Sequence, residues 1–351
     1  MGSINFKMEE LLKNLAEMEG GSDLIVTEGK PPLLRVHTEI SPIEGYPVLS
    51  GDDTEGLIRP LMTPEQAERF KEDKQLDMSL VLKDIGRFRV NIYRQCGYTG
   101  FVARVIYEKL PTFEQLQLPE ILLRFALLPR GLVLITGPIG SGKSTTISTM
   151  LNHINNNRSC HIVTVEDPIE YVHKHNLATI DQREVGMDTN SFADALRTVL
   201  RQSTDVVVIG EVRDRESAQA AMTLAEIGHL TLATLHTRGV VPSISRLIDM
   251  FPREMADQIR VQLSASLAAV VWQQLLPAKQ GGLIPACEIM TVIPSIRAMI
   301  RHGRLHEIPS IIQSGKKYGM YSMEQYIETL QDKIDEKWID VNYADLSTAK
   351  A

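Results

Sequence analysis

The stretch GPIGSGKST at 137–145 carries the spacing of a phosphate cradle. It matches G-x-x-x-x-G-K-[ST] with Gly137, Gly142, Lys143 and Ser144. The apolar run GLVLIT precedes it and a helix-forming stretch follows it. Gly140 and Gly142 let the backbone amides of a loop running through Pro138, Ile139 and Ser141 close around phosphate oxygens without a Cβ in the way. The helix that starts there adds positive potential. Lys143 is expected to reach the β- and γ-phosphates of ATP, and the Ser144 hydroxyl, next to Thr145, to hold Mg²⁺. The pattern arises by chance in roughly one chain per hundred of this length. The strand–loop–helix setting argues further against a merely flexible glycine loop.

A cradle of this kind needs acidic groups for the metal and the attacking water. In DVVVIGEVRD (205–214) an apolar run ends at Gly210-Glu211. The carboxyl ends of parallel strands line the ligand crevice, so Glu211 is expected to face the metal and take part in catalysis. VTVEDPIEYVH (163–173) offers Glu166, Asp167 and Glu170, any of which could orient or deprotonate the water. Spacing alone does not choose among them. GHLTLATLHT (228–237) reads as the next strand, with a histidine at each end. His236, at the carboxyl end, is expected to bond the γ-phosphate or the catalytic water and to sense which nucleotide is bound. His229 lies at the other end; it is expected to face a neighbouring domain or subunit and is counted with the nucleotide-binding residues.

These residues need a scaffold, and the surrounding pattern supplies one. From about Ile121, short β-branched runs (GLVLIT, CHIVTVE, LATID, DVVVIG, LTLATL) alternate with helical stretches at 143–155, 190–202 and 214–227. That alternation predicts an α/β core with a mostly parallel sheet and helices on both faces, carrying the P-loop, over 121–351. After about 253 the pattern reads as mainly helical, with Met250, Phe251, Leu263, Leu267, Val271 and Leu275 as helix core. Upstream, residues 1–110 read as a separate α+β domain. Leu11, Leu12, Leu15 and Met18 repeat at helical period, and runs such as DLIVTE and GRFRVNIYRQ read as strands. LPTFEQLQLPE, with two prolines, reads as a linker over 111–120.

Composition narrows the function classes. Lys plus Arg number 37 against 44 Asp plus Glu, a net charge of −7. This argues against a protein whose main task is gripping phosphate backbones, so no nucleic-acid partner is expected. Three scattered cysteines without a C-x-x-C predict neither a zinc ribbon nor a disulfide framework. No run approaches the ~18 apolar residues of a transmembrane segment, and MGSINFKMEELLKNL is too polar for a secretory leader. A cytoplasmic protein is expected.

In this order, GPIGSGKSTT, EDPIEYVH, GEVRD and GHLTLATLHT resemble the P-loop, Asp box, Walker B and His box of the secretion and type IV pilus ATPases. GGSDLIVTEGKPP and GRFRVN resemble the PAS-like N-terminal domain of that family. SIRAMIRHGRLHEIPSIIQSGKKYGM (295–320) resembles the C-terminal region of its twitching-motility retraction members. Ile139 and Ser295 stand where threonine and alanine are commoner in the family. The resemblance implies that the core is RecA-like, that Glu170 is the catalytic base and that Glu211 is the Walker B glutamate. It also implies that Arg87, Arg89 and Arg104 clasp phosphate from the N-terminal domain. Further implications are a homo-hexamer at the inner membrane face that partners the membrane platform protein of the pilus, and a paralogous motor as a further partner. The function expected is ATP-driven pilus retraction. The alternatives are an assembly or secretion ATPase of the same family, which usually carries a longer N-terminal region and a tetracysteine module, and a nucleic-acid translocase.

Overall fold

The computed structural model describes residues 5–334, apart from 19, 37–38, 107–109 and 280–281. Expectations that reach into the first four residues or into 335–351 lie outside the described residues. The chain divides into two compact units, residues 1–109 with 170–172, and residues 110–169 with 173–351.

The first unit is an antiparallel sheet backed by helices. Its strands are β1 (Gly21–Val26), β2 (Leu33–Val36), β3 (Glu39–Pro42), β4 (Gln75–Leu82), β5 (Gly86–Gln95) and β6 (Tyr98–Ile106). They lie in the order β3-β2-β1-β6-β5-β4. The helices are α1 (Met8–Glu17), α2 (Gly51–Ile58) and α3 (Pro64–Asp73). Strand side chains alternate between faces, so Phe88, Val90 and Ile92 of β5 join Phe101 and Ala103 of β6 in a core shared with Leu11, Leu12 and Leu15 of α1. Arg87, Arg89 and Arg104 consequently share the opposite face, with Arg89 directly across from Arg104.

The second unit carries the predicted parallel sheet. Its strands are β7 (Gly131–Thr136), β8 (His161–Glu166), β9 (Thr179–Glu184), β10 (Val206–Ile209), β11 (Leu230–Leu235), β12 (Leu267–Pro277) and β13 (Leu283–Thr291). Their order is β13-β12-β7-β11-β10-β8-β9, and every neighbouring pair is parallel except β12–β13. The helices are α4 (Ile121–Ala126), α5 (Lys143–Asn157), α6 (Phe192–Val199), α7 (Arg215–Ile227), α8 (Val240–Asp249), α9 (Ala256–Ser266), α10 (Pro294–Arg301), α11 (Ile308–Ser314) and α12 (Met323–Thr329). The strands β7, β10 and β11 are buried along their whole length because both faces are covered. Leu132 and Leu134 of β7 join one core with α6 to α11, whereas Val133 and Ile135 join another with α4, α5 and α12.

One expectation is corrected in part here: the chain after 253 carries the helices α9 to α12, but β12 and β13 lie among them as a long antiparallel pair that extends the sheet beyond β7. Leu267 and Val271 are therefore buried strand residues, and Leu275 lies on the same strand. Short apolar runs do not distinguish a buried strand from a buried helix, and this one follows the helix α9 without a break. In the stretch 111–120, read as a linker, Leu118 is buried, and Phe113 and Leu116 pack against the core of the second unit.

Candidate functional site

The strands β7, β11, β10 and β8 run parallel, so their carboxyl ends meet at one edge of the sheet. The glycine loop leaves β7 there. Gly137 N–H donates to the Leu235 carbonyl at the end of β11, and Gly210 N–H donates to Val165 at the end of β8. Val212 N–H returns to Thr234, and Thr234 Oγ1 donates to the Gly210 carbonyl. These backbone bonds fasten the carboxyl ends of β7, β8, β10 and β11 to one another in two pairs, β7 with β11 and β8 with β10, with β10 tied to β11 in turn.

The loop has the conformation that its glycines permit. Gly140 and Gly142 lie at φ +78° and +81°, where a side chain is strained, and Gly142 directly precedes α5. Among Pro138, Ile139 and Gly140, all exposed, Ile139 is 89% exposed, so its side chain has little hold on the loop's shape. Ser141 is buried. Ser144 and Thr145 lie half-buried in the first turn of α5.

Lys143 is buried, and its ammonium donates to the carbonyls of Gly137 (2.9 Å) and Pro138 (2.8 Å). It also lies 3.3 Å from Nδ1 of His236. An ammonium can only donate, so Nδ1 accepts and the ring proton sits on Nε2. Nε2 faces Glu211 Oε1 at 3.3 Å. The other carboxylate oxygen of Glu211 takes the Arg213 guanidinium at 2.6 Å, and Arg213 reaches Asp167 at 3.1 Å. Arg213 is held above its ordinary pKa, mainly by the hydrogen bond to Glu211. Lys143, His236, Glu211, Arg213 and Asp167 thus form one chain of alternating charge and polarity along the strand ends. The positive-φ glycines, the buried lysine and the positive end of α5 fit a nucleotide polyphosphate, and the adjacent carboxylate fits its counter-cation.

The three carboxylates after β8 now differ. Glu166 accepts from Thr164 at 2.6 Å and from Gln182 at 3.2 Å, and Asp167 serves Arg213. Glu170 is exposed and is grouped with the first unit. Within the first unit Asp23 is buried and holds Arg104 at 2.8 Å and Arg35 at 3.4 Å, while Arg89 is exposed and Arg87 half-buried. His229 is not brought to the loop. It stands at the amino end of β11, its carbonyl accepting from Gly131 at the start of β7, roughly 20 Å of strand from His236. Its placement in the nucleotide-binding set is corrected for a single chain, because an amino-end residue of a parallel strand faces the opposite sheet edge.

Three residues at this edge escaped the reading of the sequence. Arg213 is one. Glu288 of β13 accepts the Val240 N–H at 2.8 Å, capping α8 just beyond the His236 loop; burial raises its pKa against the opposing pull of that hydrogen bond. Gln273 of β12 is buried and bonds Ser141 of the phosphate loop and Thr146 in the first turn of α5. The signal was present: each of the last two is a polar residue inside an apolar run, LAAVVWQQLLP and LIPACEIMT, and a buried polar group requires a partner.

His173, which closes the acidic stretch, has its pKa lowered from 6.5 to about 4 by burial. As pH falls through this window the unfolded chain takes up a proton that the folded chain refuses, so stability is complete above about 6.5 and is lost toward 4. In denaturant unfolding, the wild type is expected to lose about 2 kcal/mol more than His173→Gln between pH 7 and 5. Equal losses would refute the assignment.

Residues 67–327 match the family described as type II/IV secretion system protein. The type IV pilus retraction ATPase PilT of Pseudomonas aeruginosa is 41% identical over 315 residues, covering 90% of this chain and 91% of its own. The type IV pilus ATPase PilU of the same organism is 40% identical over 325 residues, covering 92% and 85%. Among solved structures, the pilus retraction motor PilT with bound ADP matches at a TM-score of 0.89 and 38% identity, over 95% of this chain and 96% of that one. The Legionella pneumophila ATPase DotB, at 24% identity and a TM-score of 0.81 over 98% of each chain, shares the fold.

Proposed function

The chain belongs to the type II/IV secretion system protein family and is an ATPase, and on that premise we propose that it powers retraction of a type IV pilus. The observation that carries the reading is the run of contacts from Lys143 through His236 to Glu211 at the glycine loop. Lys143 exchanges its bonds to the Gly137 and Pro138 carbonyls for phosphate oxygens, so nucleotide entry is sensed directly by the loop. Ser144 and Glu211 are the residues to hold Mg²⁺, which would supply Lewis-acid stabilisation of phosphate charge. His236 carries the state of the phosphate end to Glu211, since its two nitrogens face the lysine and the carboxylate. Glu170 is assigned as the base for the attacking water. Arg87, Arg89 and Arg104 are assigned as charge-stabilising groups from the N-terminal unit.

The exposed positions of Glu170, Arg89 and Arg104 support a site completed when subunits close around nucleotide, as a homo-hexamer allows. An arginine supplied only on closure is worth ~10³–10⁵ in rate, which ties hydrolysis to domain motion. The motor is placed in the cytoplasm, at the inner membrane face, acting on the pilus platform protein there, with a paralogous motor as a further partner. No described helix is long and apolar enough to cross a membrane. Deletion of the gene tests the direction of work. Surplus pili that do not retract are the expected outcome; bald cells would assign the motor to assembly, and unaltered pili would refute a pilus role.

A further inference from the structure

The β12 strand packs against the phosphate loop through a residue with no assigned part in the chemistry. Gln273 is 1% exposed, and both ends of its side-chain amide are bonded. Nε2 donates to the Ser141 carbonyl at 2.7 Å, and Oε1 accepts from Thr146 Oγ1 at 2.9 Å. Ser141 belongs to the loop and Thr146 to the first turn of α5, and both are buried. One side chain therefore spans the junction at which loop becomes helix.

The bond to Ser141 has a directional consequence. In a trans peptide the C=O and the following N–H point in opposite directions. Fixing the Ser141 carbonyl toward Gln273 sends the Gly142 N–H the other way, out of the sheet. Gly142 lies at φ +81° and could rotate if it were not held. We propose that Gln273 is a positioning residue of the ATPase site, which orients the Ser141–Gly142 peptide so that the Gly142 amide faces the diphosphate of the nucleotide. Thr146 fixes the rotamer of Gln273 and hence which end of its amide meets the carbonyl.

The inference rests on the ATPase reading. An amide bonded to a phosphate common to ADP and ATP contributes equally to the ground and transition states. Its loss raises KM and leaves kcat in place. A structural defect does the reverse, because a smaller folded fraction lowers apparent kcat and leaves KM alone. The decisive variant is Q273E, which can still accept from Thr146 but sets oxygen against the Ser141 carbonyl. Q273M removes both bonds at similar length and serves if Q273E fails to fold.

Titration with ADP and ATP is expected to show both affinities weakened together, by about tenfold to a hundredfold, with kcat at saturating ATP within a few-fold of wild type. T146V, which retains the carbonyl bond, is expected to lose less than Q273E. Wild-type affinity for both nucleotides in Q273E and Q273M would overturn the proposal, as would T146V matching the loss in Q273E. A wild-type chain that binds neither nucleotide would instead remove the ATPase reading, and this inference with it.

Discussion

Glu211→Gln is expected to lower kcat for ATP hydrolysis by about 10²–10³-fold while ADP affinity stays within a few-fold. The substitution keeps the shape of the side chain and removes its charge. The His236 Nε2–H retains an oxygen to donate to, so the phosphate loop is not disturbed. Arg213 loses a charged partner, but its side chain is 54% exposed, so the ion pair contributes little to stability and thermal unfolding hardly shifts. What is removed is the carboxylate needed beside the phosphates, where charge develops in a site fastened by the backbone bonds of β8, β10 and β11. A kcat within about threefold of wild type would remove Glu211 from the catalytic machinery.

Gly137→Ala is expected to cost both stability and binding. Gly137 lies at φ +150°, in a region that only glycine occupies comfortably, and an added Cβ would overlap the backbone carbonyl of Gln273. That carbonyl belongs to a buried strand bonded on both sides, so neither partner can retreat cheaply. The expected destabilisation is about 2–4 kcal/mol, with nucleotide affinity reduced about a hundredfold or more as the loop shifts. Gly140→Ala is the internal control: its φ of +78° strains a side chain, but nothing lies within 4 Å, so it costs only about 1–2 kcal/mol. Equal effects at the two positions would show that backbone strain, rather than the fit of β12 against the loop, is responsible. The measurements are calorimetric unfolding and ADP titration.

Much of the site could be read before folding because its chemistry is local. The spacing of Gly137, Gly142, Lys143 and Ser144 is set by one strand-to-helix turn, and Glu211 and His236 were placed by the rule that parallel strands present their carboxyl ends together. The same reading failed at 267–291. Its apolar run lacks a period long enough to exclude a helix, so β12 and β13, with Gln273 and Glu288, were missed. Spacing also left Glu166, Asp167 and Glu170 equivalent. They separated only when Thr164, Gln182 and Arg213 were seen to occupy the first two.

The sequence by itself determined the elements whose cause lies within a few residues: the glycine loop, the short β-branched strands and the helices between them. Backbone geometry and periodicity act over one turn or one pleat, and they need no distant partner. Only the tertiary structure decided which polar groups meet. Lys143 and His236 are 93 positions apart, and Gln273 lies 132 from Ser141. Such pairs exist because a buried polar group such as Lys143 or Gln273 must find its partners within the protein, a condition imposed by packing that no local pattern records.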